Sequence, residues 1–152
     1  MKVGEALTHR SQLQTRFQLL LERLKASAVV QEGGKPPEDP KDLLTELDGV
    51  AHELESLIAR INKTNLATTL PDGQSLTDAL ARRDRLARLQ SALHQVAEAA
   101  SAGQARYSKS EIRLLRVVDV GALRRRADDL AKERRELDAK IQEANWQTDL
   151  VS

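Results

Sequence analysis

Cysteine is absent from this 152-residue chain, and Trp, Tyr and Phe occur once each. Without thiols there are no disulfides, no thiolate metal ligands and no cysteine nucleophile. Aromatic residues make up 2% of the sequence, too few for a platform on which nucleobases could stack. No apolar run approaches the ~18 residues that a membrane span requires. Lys2, Glu5, His9 and Arg10 break up the opening segment, so no secretion-type apolar core is found there and the expected location is cytoplasmic. The net charge of +1 argues against a uniformly basic nucleic-acid binder.

What is present in quantity is charge and aliphatic character. Charged residues are 31% of the chain, and with seven Gly and four Pro the mix of Ala, Leu, Glu and Arg in heptad-like spacing is that of long helices. Residues 1–152 are expected to form one domain. A first helix is predicted from Val3 to Ala28, with Val3, Leu7, Leu13, Phe17, Leu20 and Leu24 on one stripe and Arg10 where a hydrophobe is missing. The stretch QEGGKPP (Gln31–Pro37) is a loop; its Gly-Gly-Lys lacks both the upstream glycine and the following Ser or Thr of a phosphate loop. Asp39-Pro40 supplies an N-cap and a proline at N1 for a second helix striped by Leu43, Leu47, Val50, Leu54, Leu57 and Ile61. Pro71-Asp72-Gly73 is a turn, and Ser75 with Asp78 opens a third helix that runs to about Gly103 along Leu76, Ala79, Leu86, Leu89, Leu93, Val96 and Ala100. Asp119 caps a fourth, striped by Leu123, Ala127, Leu130, Leu137, Ile141 and Ala144, with Arg134 in a stripe position and i,i+4 pairs expected at Asp128–Lys132 and Glu136–Lys140. The β-branched run from Ile112 to Val118 is expected to be a short β segment lying against residues 66–70. Connections this short make the helices antiparallel neighbours. The predicted fold is all-α: four long helices as two antiparallel αα-hairpins in a helical bundle or coiled coil.

Chemistry is sparse. The residues three before His9, His52 and His94 are Ala6, Gly49 and Ser91, so the Glu-x-x-His ligand pattern of carboxylate-bridged metal bundles is missing. No G-x-S-x-G elbow and no base beside a serine suggest a nucleophile. No cofactor, metal or catalytic residue is expected, and the chain is read as a non-enzyme. Polar residues crowd the junction between the second and third helices instead. Caps and turns account for Ser75, Asp72 and Asp78, but not for Asn62, Asn65, Arg82, Arg83 and Asp84.

At that junction the sequence is familiar. INKTN (Ile61–Asn65), LPDGQSLTDALARRD (Leu70–Asp84), RYSKSEI (Arg106–Ile112), VDVGAL (Val118–Leu123) and NWQTDL (Asn145–Leu150) resemble a family of small bacterial proteins called either septicolysin or a domain of unknown function. The resemblance spans almost the whole chain; it implies no established activity, and the septicolysin name implies a haemolysin. Its polar motifs would suit one shared binding site made of Asn62, Asn65, Arg82, Arg83, Asp84, Arg106, Tyr107, Glu111, Asn145 and Trp146, gathered at one end of the bundle or between subunits.

Three functional readings follow. The first is a homo-oligomeric interaction protein. The stripes are wider than a four-helix core uses, at Leu19–Leu21, Leu43–Leu44 and Leu57–Ile58. Charge is also segregated, because seven acids against Lys41 leave −6 over Glu38–Glu55 while Arg106–Arg126 carries +5. The alternative is an RNA-binding hairpin using that basic segment. The third is a pore-forming, haemolysin-like protein, as the family name suggests.

Overall fold

Each heptad-patterned stretch becomes a helix. In the computed structural model, which describes residues 1–105 and 112–152 apart from the side chains of 103–105, these are α1 (Val3–Ala26), α2 (Pro40–Ala67), α3 (Leu76–Ala105) and α4 (Val120–Gln147). At 1.5 Å per residue they are roughly 36 to 45 Å long. The chain divides into two compact units, one of Met1–Thr69 with Ala144–Ser152, the other of Leu70–Glu143. The fold is thus all-α, as the patterning predicts.

The first unit is built on two heptad series. Ala6, Leu13 and Leu20 of α1 and Leu43, Val50 and Leu57 of α2 are all buried, with Ile61, and Phe17, Leu24, Leu47 and Leu54 pack against them. Burying one such aliphatic side chain contributes about 1.5–3 kcal/mol. The series position after Leu20 is Ser27, buried with its hydroxyl unpartnered. That after Leu57 is Thr64, buried and bonded. Arg10 sits in the hydrophobe's place in α1 with its Nε enclosed and without a partner. Outside the seam, His9 meets Glu53 at 3.3 Å, Arg16 meets Glu46 at 2.7 Å, and Arg23 chelates Glu38. As α1 advances by heptads, α2 retreats by nearly the same step, which is the signature of an antiparallel pair. Such exposed pairs add little stability; their role is to fix register.

In the second unit the turn comes first. Gly73 N donates to Leu70 O at 2.9 Å and Leu70 N to Gln74 O at 2.8 Å, while Gly73 takes φ +87°, a conformation glycine adopts without penalty. Asp72 Oδ1 accepts from Gln74 N, and Ser75 Oγ accepts from Asp78 N. The core is Leu70, Leu76, Ala79, Leu86, Leu93 and Ala97 with Ala127, Leu137 and Ile141. Arg82–Glu133 at 2.5 Å and Arg83–Asp138 at 3.1 Å join α3 to α4. Arg116 Nε donates to Ala100 O at 3.0 Å, so the late part of α3 lies near the approach to α4: the second hairpin is antiparallel too.

Three expectations need correction. Residues 112–118 form no strand; they carry no regular secondary structure, Leu66 and Ala67 are the end of α2, and no β segment joins 66–70 to 112–118. Arg116 bonds to Ala100 and Leu114–Val118 line a groove with Ala99 and Ala100, roughly 35 Å along α3 from the turn. A β-branched run has no strand to pair with in this fold, so its propensity goes unused. Second, Asp128–Lys132 and Glu136–Lys140 do not pair, whereas Glu133 and Asp138 of α4 reach across to α3 arginines. Third, Val96 is 45% exposed and Ala97 is buried in its stead.

Candidate functional site

The residues singled out by sequence separate into three sets. Asn62, Asn65, Asn145 and Trp146 belong to the first unit and Arg82, Arg83 and Asp84 to the second; Arg106, Tyr107 and Glu111 lie outside the described residues.

In the first set, Trp146, next to the last residue of α4, lies against bare backbone at Gly4. A Cβ built on Gly4 would stand 2.8 Å from Trp146 Cδ2 and 2.9 Å from Cε3, so only glycine allows the indole to lie there. The residue is nonetheless 56% exposed. Asn145 is buried, Asn62 is exposed, and Asn65 Oδ1 is enclosed with no hydrogen-bond partner. Beside them residues 148–151 are tied down. Val3 N donates to Thr148 O and Leu150 N to Met1 O, at 3.0 and 2.9 Å, around an antiparallel bridge between Lys2 and Asp149. Lys2 Nζ donates to Gln147 O and meets Asp149 at 2.9 Å; its hydrogen bond and charge hold the Asp149 carboxyl below its ordinary range. Thr64 Oγ1 donates to Arg60 O and accepts from Val151 N, while Arg60 Nε donates to Val151 O. This is a latch between the two ends of the chain.

In the second set, Arg82 pairs with Glu133 and Arg83 with Asp138, and among the described residues exposed Asp84 approaches Arg83, at 3.9 Å. Sequence reasoning missed Gly4, Arg60 and Thr64 because their partners lie at the other end of the chain, beyond any local pattern. It weighed residues 106–126 for their charge and gave the apolar side chains of Ile112–Val118 no functional weight. Ile112 is 92% exposed and Val117 95%, and Leu114–Val118 line a groove of about 240 Å³ with Ala99 and Ala100. Among the described residues no three His, Cys, Asp or Glu side chains gather as a metal site, and no helix is long and apolar enough to cross a membrane.

The geometry defines a class: an all-α protein of two antiparallel hairpins whose first unit is closed by the residues after α4. The chain belongs to a family of unknown function, DUF6847, which matches residues 10–150. It is also similar to a functionally unknown conserved protein from Corynebacterium diphtheriae, known from a crystal structure, at 40% identity over 99% of both chains with a TM-score of 0.92. No curated protein matches.

Proposed function

We propose that this is a non-enzymatic, cytoplasmic interaction protein that self-associates, its 152 residues acting as one domain. The exposed apolar run Ile112, Leu114, Leu115 and Val117, between 60% and 95% accessible, carries the reading. Water-facing aliphatic side chains in succession are what an interface leaves behind when its partner is removed. The outer members of the widened stripes support it: Leu19 is 60% exposed and Leu44 48%. Light scattering on the purified chain at low and high micromolar concentration tests it. The expected result is a mass of at least two chains, and a strict monomer at the upper end sinks the idea.

The exposed arginines at 124 and 126 favour a second reading as an RNA-binding surface, whose affinity would fall steeply with salt. No detectable binding of mixed RNA at low salt would remove it. A haemolysin-like role rests on the septicolysin name alone, and leakage assays on liposomes of several compositions decide it.

A further inference from the structure

The first unit carries a second face besides its core. On α2, Leu44, Ala51 and Ile58 recur by heptads, and Asp48 and Glu55 interleave with them at the same spacing. At 100° per residue all five lie within ~40° of one line along the helix. That line is roughly a third of a turn away from the core series Leu43, Val50 and Leu57, and on the side away from the ladder to α1. Leu44, Asp48 and Glu55 are exposed and Ala51 and Ile58 half-buried. Glu38, Glu46 and Glu53 are taken by Arg23, Arg16 and His9, but the carboxylates of Asp48 and Glu55 have no ion-pair partner among the described residues. This is an apolar line with two unneutralised acids beside it.

The exposed segment of the second unit has the complementary make-up. Arg113 and Arg116 bracket Leu114 and Leu115, with Val117 following. Arg116 Nε is held by Ala100 O, which anchors the segment to α3. Laid out in extended form, Arg113 and Leu115 share one face about 6.6 Å apart at ~3.3 Å per residue, while Arg116, held by Ala100, lies on the other. On the helix, Asp48 and Ala51 stand about 4.5 Å apart along one edge, with Glu55 beyond. Ala51 falls midway between the acids, where a small side chain leaves room for a leucine.

We propose that the segment Ile112–Val118 of one copy docks on the Leu44–Ile58 edge of α2 of a second copy, with Arg113 over Asp48 and Leu115 against Ala51. The proposal rests on the self-association reading and names its contact surfaces. The natural absence of cysteine makes it directly testable with the full chain. Leu115→Cys and Ala51→Cys are made as separate variants and mixed under oxidising conditions. A disulfide-linked pair containing one of each is expected, forming faster than any pair from either variant alone. Alongside, Arg113→Glu and Asp48→Arg are each expected to weaken association at least tenfold, and mixing the two reversed chains is expected to recover part of it.

If the unaltered chain is a monomer, the reading and the contact fall together. If it assembles but neither the mixed disulfide forms nor Arg113→Glu changes the mass, the contact is wrong while self-association stands. Loss of RNA binding by Arg113→Glu with unchanged mass would assign the segment to nucleic acid and likewise overturn the proposal.

Discussion

At the scale of single residues, Gly4 and Thr64 hold positions that leave little room for substitution. Any side chain on Gly4 collides with Trp146, whose Cδ2 would lie 2.8 Å from the new Cβ. Gly4→Ala must displace either the indole or the start of α1, at a cost of about 1–3 kcal/mol. Trp146 is the chain's single tryptophan, so its emission reports the change: a red shift together with a lowered Tm is expected, and unchanged emission and Tm would show that the contact is loose. Thr64 is buried and both gives and takes a hydrogen bond. Thr64→Val keeps the shape but leaves Val151 N–H without its acceptor, worth about 1–3 kcal/mol of stability. Thr64→Ser should recover most of that loss, and urea titration of the pair checks both halves. The opposite sign is expected at Ser27, where the buried hydroxyl has no partner. Removing it in Ser27→Ala relieves an unmet polar group and should raise Tm.

At the scale of elements, the α1–α2 ladder makes a pH prediction. The hydrogen bond from Arg23, with its charge, holds the Glu38 carboxyl below its ordinary range, and Glu38 in turn raises Arg23. A carboxyl whose folded pKa is depressed binds its proton more readily in the unfolded chain. The stability from this pair is therefore fully present above the usual glutamate value of about 4.3 and is lost as pH falls through the lower folded value. Tm should fall more steeply below that pH in the natural chain than in Glu38→Gln, and parallel curves would deny the pair any part in acid sensitivity. Elements of this kind were legible from sequence because each is local. The heptads of Leu43, Val50 and Leu57, the Asp39 and Asp119 caps, observed at 2.9 Å to Lys41 N and to Ala122 N, and the Pro71-Asp72-Gly73 turn all depend on neighbours within one turn or two. Ile112–Val118 misled because propensity describes a residue's fit to a pleated surface, and here no sheet receives it. Of the polar residues singled out by sequence, Asn145 and Trp146 flank the latch, and Arg82 and Arg83 are ion-paired between α3 and α4.

At the scale of the whole molecule, the decisive feature is that the first unit needs both ends of the sequence. α4 runs unbroken from Val120 to Gln147, yet the compact unit containing α1 and α2 begins to claim it at Ala144. Removing residues 148–152 would delete two backbone hydrogen bonds to Met1 and Val3, two more to Thr64 and Arg60, and the packing of Leu150 on the α1–α2 core. Four hydrogen bonds at about 1 kcal/mol each and a half-buried leucine at about 1 kcal/mol are opposed by roughly 1 kcal/mol or less per residue for ordering a short segment beside an existing surface, at the low end of backbone estimates. The net is small, about 1–2 kcal/mol, and for a chain of this size that lowers Tm by roughly 2–8 °C. The loss should also be uneven. Amides at the start of α1, beginning with Val3, should exchange faster in the truncated chain, whereas those of the Leu86 and Ile141 core should be unchanged relative to global stability. Hydrogen exchange resolved by peptide separates these outcomes. Uniformly faster exchange through both units would mean that the latch supports the entire molecule, and unaltered exchange at Val3 would mean that residues 148–152 close nothing.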